Sequence, residues 1–337
     1  MTVAARGVPF RFLLGLPALR DGVLWQTTLQ LPAPILISAN ALSRWHLDNL
    51  GLRCWAGFDT RWLRLLAQHP VALDSAGFVA ARRYRGFPWD TNEYLDLAGT
   101  APWLWWASQD WCVEPETVHD EDAVLDRISG TVRLNVLCRE GGKRRGIIDR
   151  FVPVIQGWHP DQYRRCVERM PWVRDFPLVG VGSMCRRHVH GEHGILHVLD
   201  VLDTVFSDND ARFHLFGLKS QAIAIASQHP RVASADSQAY GIAARQDARK
   251  ARVSKSDRML AGVMAAWYRQ QLTAIEGGPV VPMAQVWPAA APVVASNDIE
   301  AKIAAAAEAL RALHEAGEIE WTDLSPRAAY ERAFLDD

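Results

Sequence analysis

The sequence predicts an α/β chain folded as a (β/α)8 TIM barrel with insertions and a C-terminal accessory helical tail. Seven short apolar runs, rich in β-branched or aromatic residues, each end in small or polar residues. They lack polar alternation, the pattern of strands buried on both faces. Helical stretches separate most of them, and a β-then-α order repeated seven or eight times favours a closed parallel barrel. A doubly wound open sheet is the alternative, but no glycine fingerprint follows the first strand.

In chain order the runs are Pro34–Ser38, Val71–Ser75, Trp103–Ser108, Val152–Gly157, Leu178–Ser183, Phe213–Gly217 and Val232–Ser237. Between them, His159–Met170 reads as a helix with Pro160 suited to its first turn, and Ile195–Phe206 as another. Residues 110–150 read as a polar excursion between strands, ending in Gly141-Gly142-Lys143-Arg144-Arg145. The barrel is expected over residues 1–276, a proline-rich linker over 277–297 and a helical tail over 298–337. The tail opens on Asn297-Asp298-Ile299-Glu300, which resembles a capping box, and its Ala-rich helix stops near Gly317.

Composition narrows the class. The 337 residues carry 37 Lys+Arg against 38 Asp+Glu, with 49% apolar and 22% charged residues, which excludes a disordered chain or a uniformly basic coat protein. Arg11 interrupts the N-terminal apolar stretch and no small-residue cleavage site follows, so no export signal is expected. The charge-free run Gly277–Asn297 contains Pro279, Pro282, Pro288 and Pro292, and therefore reads as linker rather than membrane span. Five widely spaced cysteines (54, 112, 138, 166 and 185) without a CxxC point to a reduced, cytoplasmic protein.

The residues that end the strands point to chemistry. Asp74, Asp110, Gln156, Gly182 and Asp236 each sit at or just past the end of an apolar run. In a (β/α)8 barrel those ends face one cavity. Three carboxylates and an amide there suit glycosidic-bond chemistry, one carboxylate attacking or stabilising an oxocarbenium-like centre and another moving protons. The competing reading is that each Asp caps the helix after it.

Six segments, in order, resemble the tRNA-guanine transglycosylase superfamily. Leu73-Asp74-Ser75-Ala76-Gly77-Phe78 is similar to its DSGGF/Y motif, and Trp106–Asp110 to its strand ending in a base-reading aspartate. Val154-Ile155-Gln156-Gly157 resembles IVQGG with Trp158 at the second glycine, and Gly180-Val181-Gly182-Ser183 stands where the family has GGL. His214-Leu215-Phe216-Gly217 resembles YLMG, and Asp236–Arg245 keeps the first Asp and last Arg of DCVxPTRxAR. Each motif is weak alone; six in register are stronger. The family's CxCxxC…His zinc site is missing, since no Cys follows Cys185, and Gly241-Ile242 replaces the TR of PTR. The segment Gly180-Val181-Gly182-Ser183-Met184-Cys185-Arg186-Arg187 together with the zinc-less C-terminus resembles the deazapurine DNA-modification (DpdA-like) branch, whose members exchange guanine in DNA for a 7-deazaguanine.

The resemblance implies base exchange with no cofactor. Asp236 would attack the sugar C1′, and Asp74 would take the proton of the incoming base, for example 7-cyano-7-deazaguanine. Asp110 would read guanine with Ser75 alongside, Gln156 and the Gly182 N–H would address the exocyclic oxygen, and Phe78 and Phe216 would sandwich the ring. Core packing is the other reading of both Phe residues. The target guanine must be flipped or single-stranded. Arg245, Arg249, Lys250 and Arg252, with Lys255 and Arg258, form a basic stretch after the proposed nucleophile, and Arg82, Arg83 and Arg85 form another after Asp74. Both stretches would contact phosphates, or the first is simply a solvated helix face. Cys185, His188, His190, His193 and His197 offer zinc-type ligands, but their spacing matches no closed motif and no metal is assigned. Action on tRNA, a nucleoside or glycoside hydrolase, and a non-catalytic nucleobase-binding barrel remain alternatives.

Overall fold

The computed structural model describes residues 10–250 and 252–277. The chain divides into two compact units, 1–269 and 270–337. Of the second unit, only 270–277 are described, the last turns of the helix Asp257–Gly277. The proline-rich linker and helical tail expected from the sequence fall outside the described residues.

Eleven strands are described: β1 (Arg11–Leu16), β2 (Ile35–Ser38), β3 (Ser43–Leu47), β4 (Arg53–Phe58), β5 (Val71–Asp74), β6 (Trp106–Ala107), β7 (Phe151–Val152), β8 (Val154–Ile155), β9 (Leu178–Val181), β10 (Arg212–Leu215) and β11 (Val232–Ser237). Nine of them form one parallel sheet in the order β7-β6-β5-β2-β1-β11-β10-β9-β8. The two ends of that order are one stretch of chain. Residues 151–155 pair with β6 before Pro153 and with β9 after it. Proline has no N–H to give to a ladder, so the segment changes partner there. The sheet thus closes into an eight-stranded barrel with helices around it.

Leu13, Leu36, Ala72, Trp105, Ala107, Val152 and Val154 pack together as a buried cluster. Their neighbours along the strands, such as Leu14, Ile35, Ile37 and Leu73, are equally buried. Both faces of each strand are therefore dry, one against this cluster and the other against helices, which is why the runs are continuously apolar.

Three elements differ from the sequence expectation. The N-terminal stretch broken by Arg11 is the barrel strand β1, in register with β11 (Leu13 opposite Asp236) and with β2. An antiparallel hairpin, β3–β4, stands between β2 and β5. The expected excursion at 110–150 holds a 24-residue helix, Glu121–Arg144, capped by the Asp120 side chain on the Ala123 N–H. Its glycines are points of close approach: a Cβ on Gly130 would lie 2.6 Å from Trp111, and one on Gly142 2.9 Å from Trp106. Among the described residues, no helix is long and apolar enough to cross a membrane. All five cysteines are free thiols.

Candidate active site

The strands deliver their polar ends to one mouth. Asp74 is the last residue of β5, Asp110 lies three residues past β6, Gln156 follows β8, Gly182 follows β9, and Asp236 is the fifth residue of β11. Asp110, Gln156 and Asp236 are buried. Asp74 feels the other two: burial first, then the charges of Asp110 and Asp236, push its carboxyl up to about 7. Burial likewise raises Asp110 to about 6, against the hydrogen bonds it accepts from Gln156 and Ser75.

Asp110 is held on both oxygens. The Ser75 hydroxyl donates to Oδ1 at 3.0 Å and the Gln156 amide donates to Oδ2. Gln156 is fixed in turn by the Ser183 hydroxyl, which donates to its Oε1 at 2.7 Å while accepting from the Val113 N–H. Two glycines make room for this network. A Cβ on Gly77 would lie 2.5 Å from Asp110 Oδ1 and 2.7 Å from its backbone oxygen; one on Gly182 would lie 2.0 Å from Gln156 Nε2. Beside them, Ala76 (φ 72°) and Ser183 (φ 55°) hold left-handed backbone, and the Ala76 N–H donates to the Asp74 carboxylate at 3.0 Å.

Asp236 has its own setting. Its Oδ1 accepts from the Gly217 N–H at 2.9 Å and lies 3.3 Å from His214 Nε2, while His214 Nδ1 meets the Ser234 hydroxyl at 2.8 Å. His214 is fully buried, with its ring 4.8 Å from Trp105 and 4.5 Å from Phe216. Sequence reasoning passed over both His214 and Ser183. Their signal was a polar residue at the first position of the HLFG segment and at the last of GVGS.

The expected site residues meet different fates. Asp74, Ser75, Asp110, Gln156 and Asp236 come together. Gly182 stands beside them, but its N–H donates to the Ile155 carbonyl at 3.0 Å within the barrel ladder. That corrects the expectation that this N–H addresses a base oxygen; the residue serves by lacking a side chain. Phe216 packs against the buried cluster, whereas Phe78 is 39% exposed.

Trp158, at the position where the family motif has glycine, carries the guanidinium of Arg187 over its ring at 4.4 Å. Buried Arg187 also donates to the carbonyls of Ser183 (2.8 Å), His193 (2.6 Å) and Gly157 (3.0 Å) and to the Tyr163 hydroxyl (3.1 Å). It ties the loops after β8 and β9 together.

The basic stretch Arg245–Arg258 begins at the mouth. The helix Tyr240–Lys250 starts just past β11, with the Tyr240 hydroxyl donating to the Gly15 carbonyl at 2.7 Å. The chain returns to the same rim, because Asp257 pairs with Arg20, beyond the end of β1, at 2.9 Å. Arg245, Arg249, Lys250 and Arg252 are all exposed along this excursion. In the second stretch, Arg82 is paired with Glu116.

The histidine-rich loop after β9 assembles differently from the expected set. Among the described residues, the metal-type ligand atoms that come together are those of His159, Glu192 and His193, all within 4.8 Å of one another. Two imidazoles and a carboxylate are a donor set suited to a divalent transition metal. Neither Cys185 nor His188, His190 or His197 belongs to the group.

No curated protein sequence gives a significant match to the chain. A family model does match: that of DpdA, DeoxyPurine in DNA protein A, aligns over residues 60–311, about three quarters of the chain. The match takes in Asp74, Asp110, Gln156 and Asp236 together with the loops that hold them. A closed barrel gathering those residues at one mouth, and a family model running through all of them, lead to one conclusion: the chain belongs to the DpdA family, tRNA-guanine transglycosylase-like proteins of DNA deazapurine modification.

Proposed function

We propose that the protein exchanges guanine in DNA for a 7-deazaguanine by double displacement. The observation that carries this reading is the meeting of Asp74, Asp110 and Asp236 at one barrel mouth, with Asp110 anchored by Ser75 and Gln156. A carboxylate of Asp236 attacks C1′ of the deoxyribose, forming a C1′–O bond as the C1′–N9 bond breaks. Guanine leaves with the C1′–N9 electron pair and takes up a proton from solvent. The incoming base then gives its N9 proton to Asp74 and attacks C1′, releasing Asp236. Two inversions retain configuration.

The environments of the carboxylates suit these roles. A carboxyl raised to about 7 accepts and returns a proton near neutrality, which a base-exchange step requires of Asp74. The Gly217 N–H holds Asp236 in one orientation, with the buried His214 ring beside it. Asp110 retains lone pairs for the N–H groups of guanine beyond those that Ser75 and Gln156 occupy. The exposed cations at 245–252 supply phosphate contacts at the rim, as a flipped or single-stranded target demands.

The test is incorporation of labelled 7-cyano-7-deazaguanine into DNA and into tRNA by the purified protein under matched salt. Label in DNA with little in tRNA is the expected result. Label in tRNA alone places the protein with the tRNA enzymes, and abasic sites without label make it a hydrolase.

A further inference from the structure

A cavity of about 260 Å³ is lined by residues a few positions past Asp110 in the chain and by the turn that follows Asp74. Its lining includes Arg82, Arg85, Arg127, Cys112, Glu114 and Glu116. Glu114 is the anomaly. It is 4% exposed, and neither carboxylate oxygen has a hydrogen-bond partner. The nearest guanidinium nitrogen belongs to Arg186 and stands 3.9 Å away, while Arg186 itself bonds Glu116 at 2.6 Å.

A buried carboxylate without hydrogen-bond partners is costly, and such a group in a cavity is a natural receiver of donors from outside. Burial raises its carboxyl to about 7, against the pull of Arg186. The arginines around it disfavour a simple cation, and the carboxylate disfavours a simple anion. The ligand that fits carries both a negative group and N–H donors. A nucleotide does, with its phosphate toward Arg82, Arg85 and Arg127 and its base edge toward Glu114.

We propose that this cavity is a second base-reading subsite, which holds the nucleotide next to the exchanged guanine and reads an exocyclic amino group on its base through Glu114. The proposal rests on the reading of the protein as a DNA base-exchange enzyme. The chain ties the two places together: Cys112 and Val113 lie two and three residues past Asp110, and the Val113 N–H bonds the same Ser183 hydroxyl that fixes Gln156. Arg85 holds left-handed backbone (φ 59°) at the edge of the cavity.

The experiment uses single-stranded oligonucleotides with one guanine, flanked on either side by adenine or by purine, which lacks only the amino group. Exchange with labelled 7-cyano-7-deazaguanine gives a kcat/KM ratio, adenine over purine, for each side. The wild-type ratio is expected to reach about tenfold on one side, as for a hydrogen bond to a charged acceptor. Glu114→Leu, which removes a buried acid that makes no hydrogen bond and leaves an apolar side chain, is expected to bring that ratio close to one. Glu114→Gln, which keeps one neutral acceptor, serves as the second variant and is expected to bring it below about threefold. A wild-type ratio near one on both sides, or a tenfold ratio that survives both substitutions, overturns the subsite. Failure of the exchange reading shows itself differently, as absence of label from every oligonucleotide, and takes the subsite with it.

Discussion

Gly77→Ala is expected to damage the site through one atom. The added Cβ would lie 2.5 Å from Asp110 Oδ1 and 2.7 Å from the Asp110 backbone oxygen, against 3.4 Å for an ordinary contact. The shortfall is about 0.9 Å (3.4 − 2.5) on the carboxylate and about 0.7 Å (3.4 − 2.7) on the backbone. Because one of the two atoms is main chain, a side-chain rotation alone cannot relieve the clash. The loop carrying Asp110 must shift, and the hydrogen bonds from Ser75 and Gln156 shift with it. Overpacking of this kind costs about 1–3 kcal/mol of stability. A displacement approaching 1 Å at a substrate-positioning group costs about 100-fold in rate. Guanine exchange into DNA and a thermal melt would be read side by side, with Gly86→Ala as the control, since its Cβ would meet nothing closer than Trp111 at 3.8 Å. A Gly77→Ala protein that melts with the wild type and exchanges guanine within twofold of it would refute the reasoning.

Four further outcomes rest on the same structure. Asp74 sits at about 7 and Asp110 at about 6, both above the ordinary 3.8, so the native protein holds more protons than the unfolded chain between those values. That contribution to stability is full below about pH 4 and is lost as pH rises through about 7; Asp74→Asn is expected to flatten the decline in denaturant melts, and an unchanged slope would contradict the assignment. The rate, by contrast, should rise toward pH 7 as Asp74 ionises to act as base. Ala76→Gly relieves a left-handed residue at φ 72° and is expected to add about 1 kcal/mol in urea unfolding, where a loss would show that the Ala76 methyl is needed. Neutralising Arg249, Lys250 and Arg252 together is expected to lower the salt slope of single-stranded DNA binding by about 2, whereas an unaltered slope would remove this stretch from the phosphate path.

The sequence made the barrel legible because its strands are dry on both faces. Val71–Asp74 ends in its carboxylate and Val232–Ser237 carries Asp236 one residue before its end, and both carboxylates reach the mouth. The same logic hid β1, whose first residue, Arg11, is exposed where the strand begins and reads as a break. It also hid β3 and β4, a hairpin outside the barrel sheet with Leu47, Leu50 and Leu52 exposed around its turn. The helix Glu121–Arg144 was masked by Gly130, Gly141 and Gly142, which read as loop until Trp111, Leu95 and Trp106 are seen pressed against them. In the site, the carboxylates were readable from position alone. His214 was not, because a histidine inside a strand gives no sign of which neighbour it will meet, and the role of Gly182 depends on where the Gln156 side chain lies. Glu114 had no local signal, since its isolation arises from loops distant in sequence.

Covalent capture most directly tests exchange through Asp236. The protein would be incubated with a labelled single-stranded oligonucleotide holding one guanine, without the incoming base, then denatured and mapped by peptide mass spectrometry. The expected result is a protein–DNA adduct with guanine released, the added mass on Asp236, and no adduct with Asp236→Asn. An adduct on another residue, an Asp236→Asn protein that still captures DNA, or guanine release that leaves only abasic DNA would contradict it.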